Sequence, residues 1–121
     1  MKTWLAVAAI NGFLAVAAGA FGAHALQGRV DAHALVVFET GARYQMYHAL
    51  AIGLAVLSLR GPPGAQLACA LFLLGIVLFS GSLYVLALTG IRAFALVTPF
   101  GGVAFLAGWA SLAWSALKAV S

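Results

Sequence analysis

A chain of 121 residues holds one domain at most, and 65% hydrophobic residues against 7% charged exclude a water-soluble fold. A small soluble domain has a large surface to cover and gives about a quarter of its residues to charge. The formal charge of +4 does not mark a nucleic-acid binder, because Lys2, Arg29, Arg43, Arg60, Arg92 and Lys118 are scattered between apolar blocks, as the flanks of membrane spans are.

The first apolar block, residues 3–26, follows Lys2 and runs past Ala23-His24-Ala25, so it imitates a secretory signal. It reaches the ~20 residues that span a bilayer and exceeds a signal core, so it is expected to stay in place as helix one. Ala15, Gly19 and Ala23, with Ala18 and Gly22 beside them, recur at intervals of four. Small residues at that spacing let helix backbones approach closely in lipid. The stretch Gly19-Ala-Phe-Gly-Ala-His24 sets a titratable imidazole near the end of the block. A polar break follows from Gln27 to Ala34, in which Arg29, Asp31 and His33 read as solvated turn residues.

Helix two is expected over residues 35–59. It opens unlike the others, with Glu39, Arg43, Tyr44, Gln45, Tyr47 and His48 crowded into ten residues. At 100° per residue Glu39, Arg43 and Tyr47 form one stripe, and Tyr44 and His48 form a second about 100° away. Two readings compete for the first stripe. Glu39 and Arg43 can be an i, i+4 ion pair at the membrane interface with the tyrosines in the aromatic belt, or a pair facing the bundle interior, where charges tend to be paired and functional. His48 lies a turn deeper and is expected inside. There it is either a neutral imidazole held by a backbone carbonyl or serine, or a proton-relay or ligand-binding group. Because helix one ends where helix two starts, His24 and His48 are expected on one side and able to meet.

The Arg60-Gly-Pro-Pro-Gly64 turn ends helix two, since proline lacks a backbone donor and glycine admits reversal. Helix three is expected over residues 65–88. It carries Cys69, read as a small buried residue without a disulfide partner, and Ser80, Ser82 and Tyr84 at hydrocarbon depth. Serine can back-bond to its own helix at little cost. After the turn from Thr89 to Arg92, helix four is expected over residues 93–119, kinked by proline at Thr98-Pro99-Phe100-Gly101-Gly102. Gly75, Gly81, Gly101 and Gly108 on the last two helices are assigned to helix packing.

Short turns make sequential helices antiparallel neighbours, so the fold class is an all-α integral membrane bundle of four antiparallel transmembrane helices, up-down-up-down, in a single domain over residues 1–121. An even number of spans puts both termini on one side. With Arg43 at membrane depth and so not counted, the cations favour cytoplasmic termini.

Four separated motifs carry a resemblance: Gly-Ala-Phe-Gly-Ala-His at 19 to 24; Phe38-Glu39-Thr40 with Arg43-Tyr44-Gln45-Met46-Tyr47-His48-Ala49-Leu50; Leu78-Phe79-Ser80-Gly81-Ser82-Leu83-Tyr84; and Thr98-Pro99-Phe100-Gly101-Gly102. In this order, over nearly the whole chain, the sequence resembles the YgdD-type family of small bacterial inner-membrane proteins. The resemblance implies a four-span inner-membrane protein and transfers no catalytic residues.

No nucleotide loop, compact zinc pattern or nucleophile beside a base occurs in the sequence. The expected protein is not an enzyme, holds no metal or cofactor, and touches membrane lipids but no nucleic acid. It acts by packing helices against a partner membrane protein or, as a homo-oligomer, against itself. The competing expectation is a small transport or binding protein for a proton or a lipid-like molecule such as a quinone, using a polar cluster of His24, Glu39, Arg43, Tyr44, Gln45, Tyr47, His48, Ser80, Ser82, Tyr84 and Thr98.

Overall fold

In the computed structural model, residues 2–58 and 63–120 are described, and every regular element among them is helical. Helix α1 spans Lys2–His24, α2 Ala32–Ser58, α3 Pro63–Gly75, α4 Gly81–Thr89 and α5 Thr98–Val120. A single π-helical turn, Ile76–Ser80, joins α3 to α4. A short 3-10 helix, Arg92–Leu96, precedes α5. Among the described residues, three stretches are long and apolar enough to cross a membrane: Lys2–His24, Gly64–Thr89 and Arg92–Lys118. Helix α2 is not among them, since Glu39, Arg43, Gln45 and His48 lower its hydropathy.

Local chemistry sets the boundaries. Gly28 adopts φ +81° in the turn after α1, a conformation that suits glycine. Asp31 then caps α2: its Oδ1 accepts the amide of Ala34 at 2.7 Å, satisfying one of the free donors at a helix start. Helix α2 therefore begins three residues before the expected position, and His33 sits in its first turn rather than in a loop. Gly90, at φ +71°, closes α4 by donating its amide to the Leu86 carbonyl. Helix four departs further from expectation. Pro99 falls in the first turn of α5, where its missing donor costs nothing, so it starts a helix instead of kinking one. The turn expected at Arg60 to Gly64 falls mostly outside the described residues.

Side-chain contacts run in opposite chain directions for each neighbouring pair. Asn11 meets Gln45 while Gly22 meets Phe38. Gly41 meets Tyr84 while Ile52 meets Cys69. Gly75 meets Phe105 and Gly64 meets Ser115. The packed faces follow chain order: α1 on α2, α2 on α3 and α4, and α3 on α5, with α1 and α5 on the outer flanks. The main core joins Ile52 and Ala55 of α2 to Cys69 and Phe72 of α3 and Phe105 of α5. A smaller one at the opposite end joins Leu26, Phe38 and Ala87.

The buried face of α1 is Ala8, Asn11, Ala15 and Gly22, a stripe displaced from the expected Ala15-Gly19-Ala23. Gly19 meets nothing across its face, and Ala23 is exposed. Gly81 likewise faces open space, so it does not pack as expected. Gly75, Gly101 and Gly108 do, and Gly101 is the one whose Cβ would strike backbone, that of Phe79 in the π turn, rather than a side chain. Gly102 beside it has no such neighbour. Gly101→Ala is expected to cost about 1–3 kcal/mol of stability by overpacking, while Gly102→Ala stays within about 0.5 kcal/mol or stabilises. Reversible unfolding of both variants in mixed micelles reads the difference.

Candidate functional site

The polar residues of α2 divide between two faces. Gln45 and His48 are buried, Tyr44 is half-buried, and Arg43 and Tyr47 are exposed, with Glu39 between these extremes. The inward residues find partners on other helices, and the outward charges find none among the described residues.

Gln45 is the hub. Its Nε2 donates to Asn11 Oδ1 at 3.0 Å, and its Oε1 accepts the Tyr84 hydroxyl at 2.7 Å. Asn11 in turn donates through Nδ2 to the Val7 carbonyl at 2.9 Å. The relay ties α1, α2 and α4 through one line of hydrogen bonds. It uses the amide's separate donor and acceptor ends, which a hydroxyl or a carboxylate could not supply in the same geometry. Phe38 packs on the Tyr84 ring at 4.9 Å between centroids and covers the relay from the side of the smaller core.

His48 is held by two partners of fixed character. Its Nδ1 lies 2.8 Å from the Tyr44 carbonyl and its Nε2 3.1 Å from Trp109 Nε1. A carbonyl only accepts and an indole N–H only donates, so Nδ1 carries the proton, Nε2 accepts, and the ring is neutral. Phe105 stacks on it at 3.5 Å and 5° between planes, and Phe72 closes from a tilt. The carbonyl belongs to the histidine's own helix rather than to a neighbour. Tyr44, His48, Phe79, Phe105 and Trp109 wall a groove of about 610 Å³ between α2 and α5, with almost no polar surface.

A third link joins Ser82 to Thr98, hydroxyl to hydroxyl at 2.6 Å, with Ser82 also reaching the Phe79 carbonyl at 2.9 Å. It fixes the start of α5 against α4. Ser80 behaves otherwise. Its hydroxyl is wholly buried and makes no hydrogen bond among the described residues, so Ser82, not Ser80, bonds back to its own helix.

Several expected associations do not form. His24 is exposed at the end of α1, and His48 lies about 24 Å along α2 from its start at 1.5 Å per residue, so the two histidines do not meet. No ion pair closes between Glu39 and Arg43 among the described residues, and they do not face the interior. Both line a shallow outer groove with Ala15, Gly19, Ala42 and Met46. No group of three metal-ligating side chains gathers among the described residues. Asn11 and Trp109 were not among the candidates. Asn11 had a signal, being the lone amide of α1. Trp109, far from His48 in sequence, had none beyond its polar N–H.

The family described as "protein of unknown function (DUF423)" matches residues 18–102. The chain is 46% identical over 123 residues to the UPF0382 membrane protein YwdK of Bacillus subtilis, covering 98% of each chain. It is 51% identical over 116 residues to the UPF0382 inner membrane protein YgdD of Escherichia coli K12, covering 94% of this chain and 88% of that one. It is 44% identical over 119 residues to a UPF0382 membrane protein of Haemophilus influenzae, covering 98% and 96%. No solved structure matches.

Removing both ends of the Asn11–Gln45 bond should cost less than the sum of the two single removals. In a double-mutant cycle of Asn11→Leu and Gln45→Leu, the expected coupling is about 0.6 kcal/mol and at most about 1.7 kcal/mol, the range for interhelical bonds in lipid. In ¹⁵N NMR of the histidine-labelled protein, His48 should carry its proton on Nδ1, and Trp109→Phe should move the Nε2 resonance while Phe100→Leu, at a lipid-exposed position, leaves it in place.

Proposed function

This chain belongs to the DUF423 family, whose curated relatives are named UPF0382 membrane proteins, and from that membership we propose a four-span, up-down-up-down component of the bacterial inner membrane that binds a partner. It forms a single domain over residues 1–121, has both termini in the cytoplasm, catalyses no reaction, and packs against another membrane protein or a second copy of itself. The name of the Escherichia coli relative, an inner membrane protein, supports placement in the inner membrane.

One observation carries the reading. Glu39 and Arg43 stand on the outer side of α2 without an ion pair among the described residues, in a groove floored by the small residues Ala15 and Gly19 of α1. Arg43 lies about 16 Å along α2, well inside a hydrocarbon layer about 30 Å thick. A charge at that depth costs at least ~2.5 kcal/mol and calls for a partner. A small-residue floor lets a neighbouring helix come close enough to supply one. The interior, by contrast, has its amides and imidazole already engaged, which counts against a proton path or an acid–base pair there.

A second reading has its own support. The aromatic groove between α2 and α5 has the size and apolar lining suited to the ring of a lipid-like molecule. His48→Phe would keep its stacking and remove its nitrogens, so unchanged uptake of a quinone by the purified variant would leave the imidazole a structural role only.

The test of the main reading is photocrosslinking in native membranes from Met46, beside the outer groove, with Leu106 on α5 as a lipid-facing control. Met46 is expected to give a discrete protein adduct that Glu39→Gln with Arg43→Gln reduces about tenfold. Equal labelling from Met46 and Leu106, or an adduct indifferent to both substitutions, would refute it.

A further inference from the structure

The end of the molecule where the α1–α2 turn meets the α4–α5 turn holds a cavity of about 620 Å³, which no part of the preceding reading uses. Its floor is apolar, formed by Val37, Leu86 and Ala87, and its rim carries Asp31, His33 and Arg92. The candidate spans fix its depth. Lys2–His24 and Gly64–Thr89 end here and Arg92–Lys118 begins here, so the rim sits where hydrocarbon gives way to water and the floor just inside it. That is the level of lipid headgroups.

The rim charges are of opposite sign and unspent on each other. One carboxylate oxygen of Asp31 holds the α2 cap through the Ala34 amide. The other oxygen is unclaimed, and no ion pair with Arg92 forms among the described residues. We propose that this cavity binds a zwitterionic phosphoethanolamine lipid. Its phosphate meets the Arg92 guanidinium, its ammonium meets the free oxygen of Asp31, and an acyl chain lies along Val37 and Leu86.

Charge matching selects the head. An anionic phosphatidylglycerol would satisfy Arg92 and leave Asp31 facing like charge, whereas a phosphoethanolamine answers both. A choline head has the same net charge but no N–H to donate to the carboxylate, so it forfeits the charge-assisted hydrogen bond. The guanidinium offers paired donors to phosphate oxygens.

The experiment is native mass spectrometry of the full chain in a neutral detergent, titrated with short-chain phosphatidylethanolamine, phosphatidylcholine and phosphatidylglycerol, and with glycerophosphoethanolamine lacking acyl chains. Wild type is expected to prefer the ethanolamine lipid over the glycerol lipid by about tenfold, the worth of one charged hydrogen bond. Asp31→Asn keeps the helix cap and removes the charge, and should abolish that preference. Arg92→Gln should weaken binding of all the phospholipids about tenfold. Equal affinity for the ethanolamine and glycerol lipids in wild type, or binding unaffected by Arg92→Gln, would overturn the site. Tight binding of the head without its chains would overturn the role of the apolar floor and with it the lipid as ligand. These substitutions lie away from Glu39 and Arg43, so failure here leaves the outer-groove reading to its own test.

Discussion

Water is absent from the hydrocarbon layer, so a polar side chain carried into it must find its hydrogen bonds within the protein. Gln45 meets that demand twice, giving its amide hydrogen to Asn11 and receiving one from Tyr84. Much of the packing is arranged around this. Among the described residues helix α1 has a substantial packed face only with α2, and an apolar helix sliding on another in lipid has little to fix its height. The Asn11 bond supplies the registration, and Ala8, Ala15 and Gly22 bring the two backbones near enough for the amides to meet. On the other side Gly41 admits the Tyr84 ring against α2, so the phenol reaches the same glutamine.

The second half of the chain is organised by a different device. At Ile76–Ser80 the helix inserts one π turn, and the Gly81 amide bonds back to the Ile76 carbonyl five residues earlier. Helix α5 crosses this point with Gly101 laid on the Phe79 backbone. Close approach there leaves the aromatic side chains on the α2 side with room to stack, and Phe105 lies flat against His48 while Phe79 meets Tyr44. The indole of Trp109 then reaches Nε2. Helices α2 and α5 thus communicate through rings and one hydrogen bond rather than through a packed backbone face.

How much of this was legible depends on how local its cause is. Composition alone excluded water, and four ordered motifs identified the family. The stripe geometry of Arg43, Tyr44, Tyr47 and His48 separated two faces of α2 correctly as to which residues travel together, but it could not say which face points inward, because angular spacing has no reference to a neighbour. That is why Glu39 and Arg43 left an interior reading open, and why the structure rather than the sequence turns them outward. Asp31 is readable as a cap one residue before a helix, and in that role it sets the start of α2 at Ala32, ahead of the apolar run that begins at Leu35. Pro99 was seen but placed inside a helix, since nothing in the sequence marks the brief 3-10 segment before it. The His48–Trp109 bond joins residues 61 apart, and only the fold brings them together.

Helix α2 is the element on which the two kinds of polar group are sorted. Its inner amide and imidazole are neutral and hydrogen-bonded, and a proton taken up at His48 Nε2 would break the bond that Trp109 makes between helices. Its outer groups, Glu39 and Arg43, close no ion pair among the described residues. A chain selected only to fold in lipid would gain by making that outer face apolar, since burying charge at depth is costly while leucine or alanine in the same groove is not. On the partner-binding reading proposed above, keeping Glu39 and Arg43 one turn apart beside Gly19 and Ala15 serves recognition: a partner bearing complementary charges gains by docking, and one lacking them meets the desolvation penalty instead. By the same logic the interior relay serves as support. Tying α1 to α2 at Asn11 and Gln45 holds the small-residue floor at a fixed height under the two charges, and a groove of fixed height is what a specific partner requires.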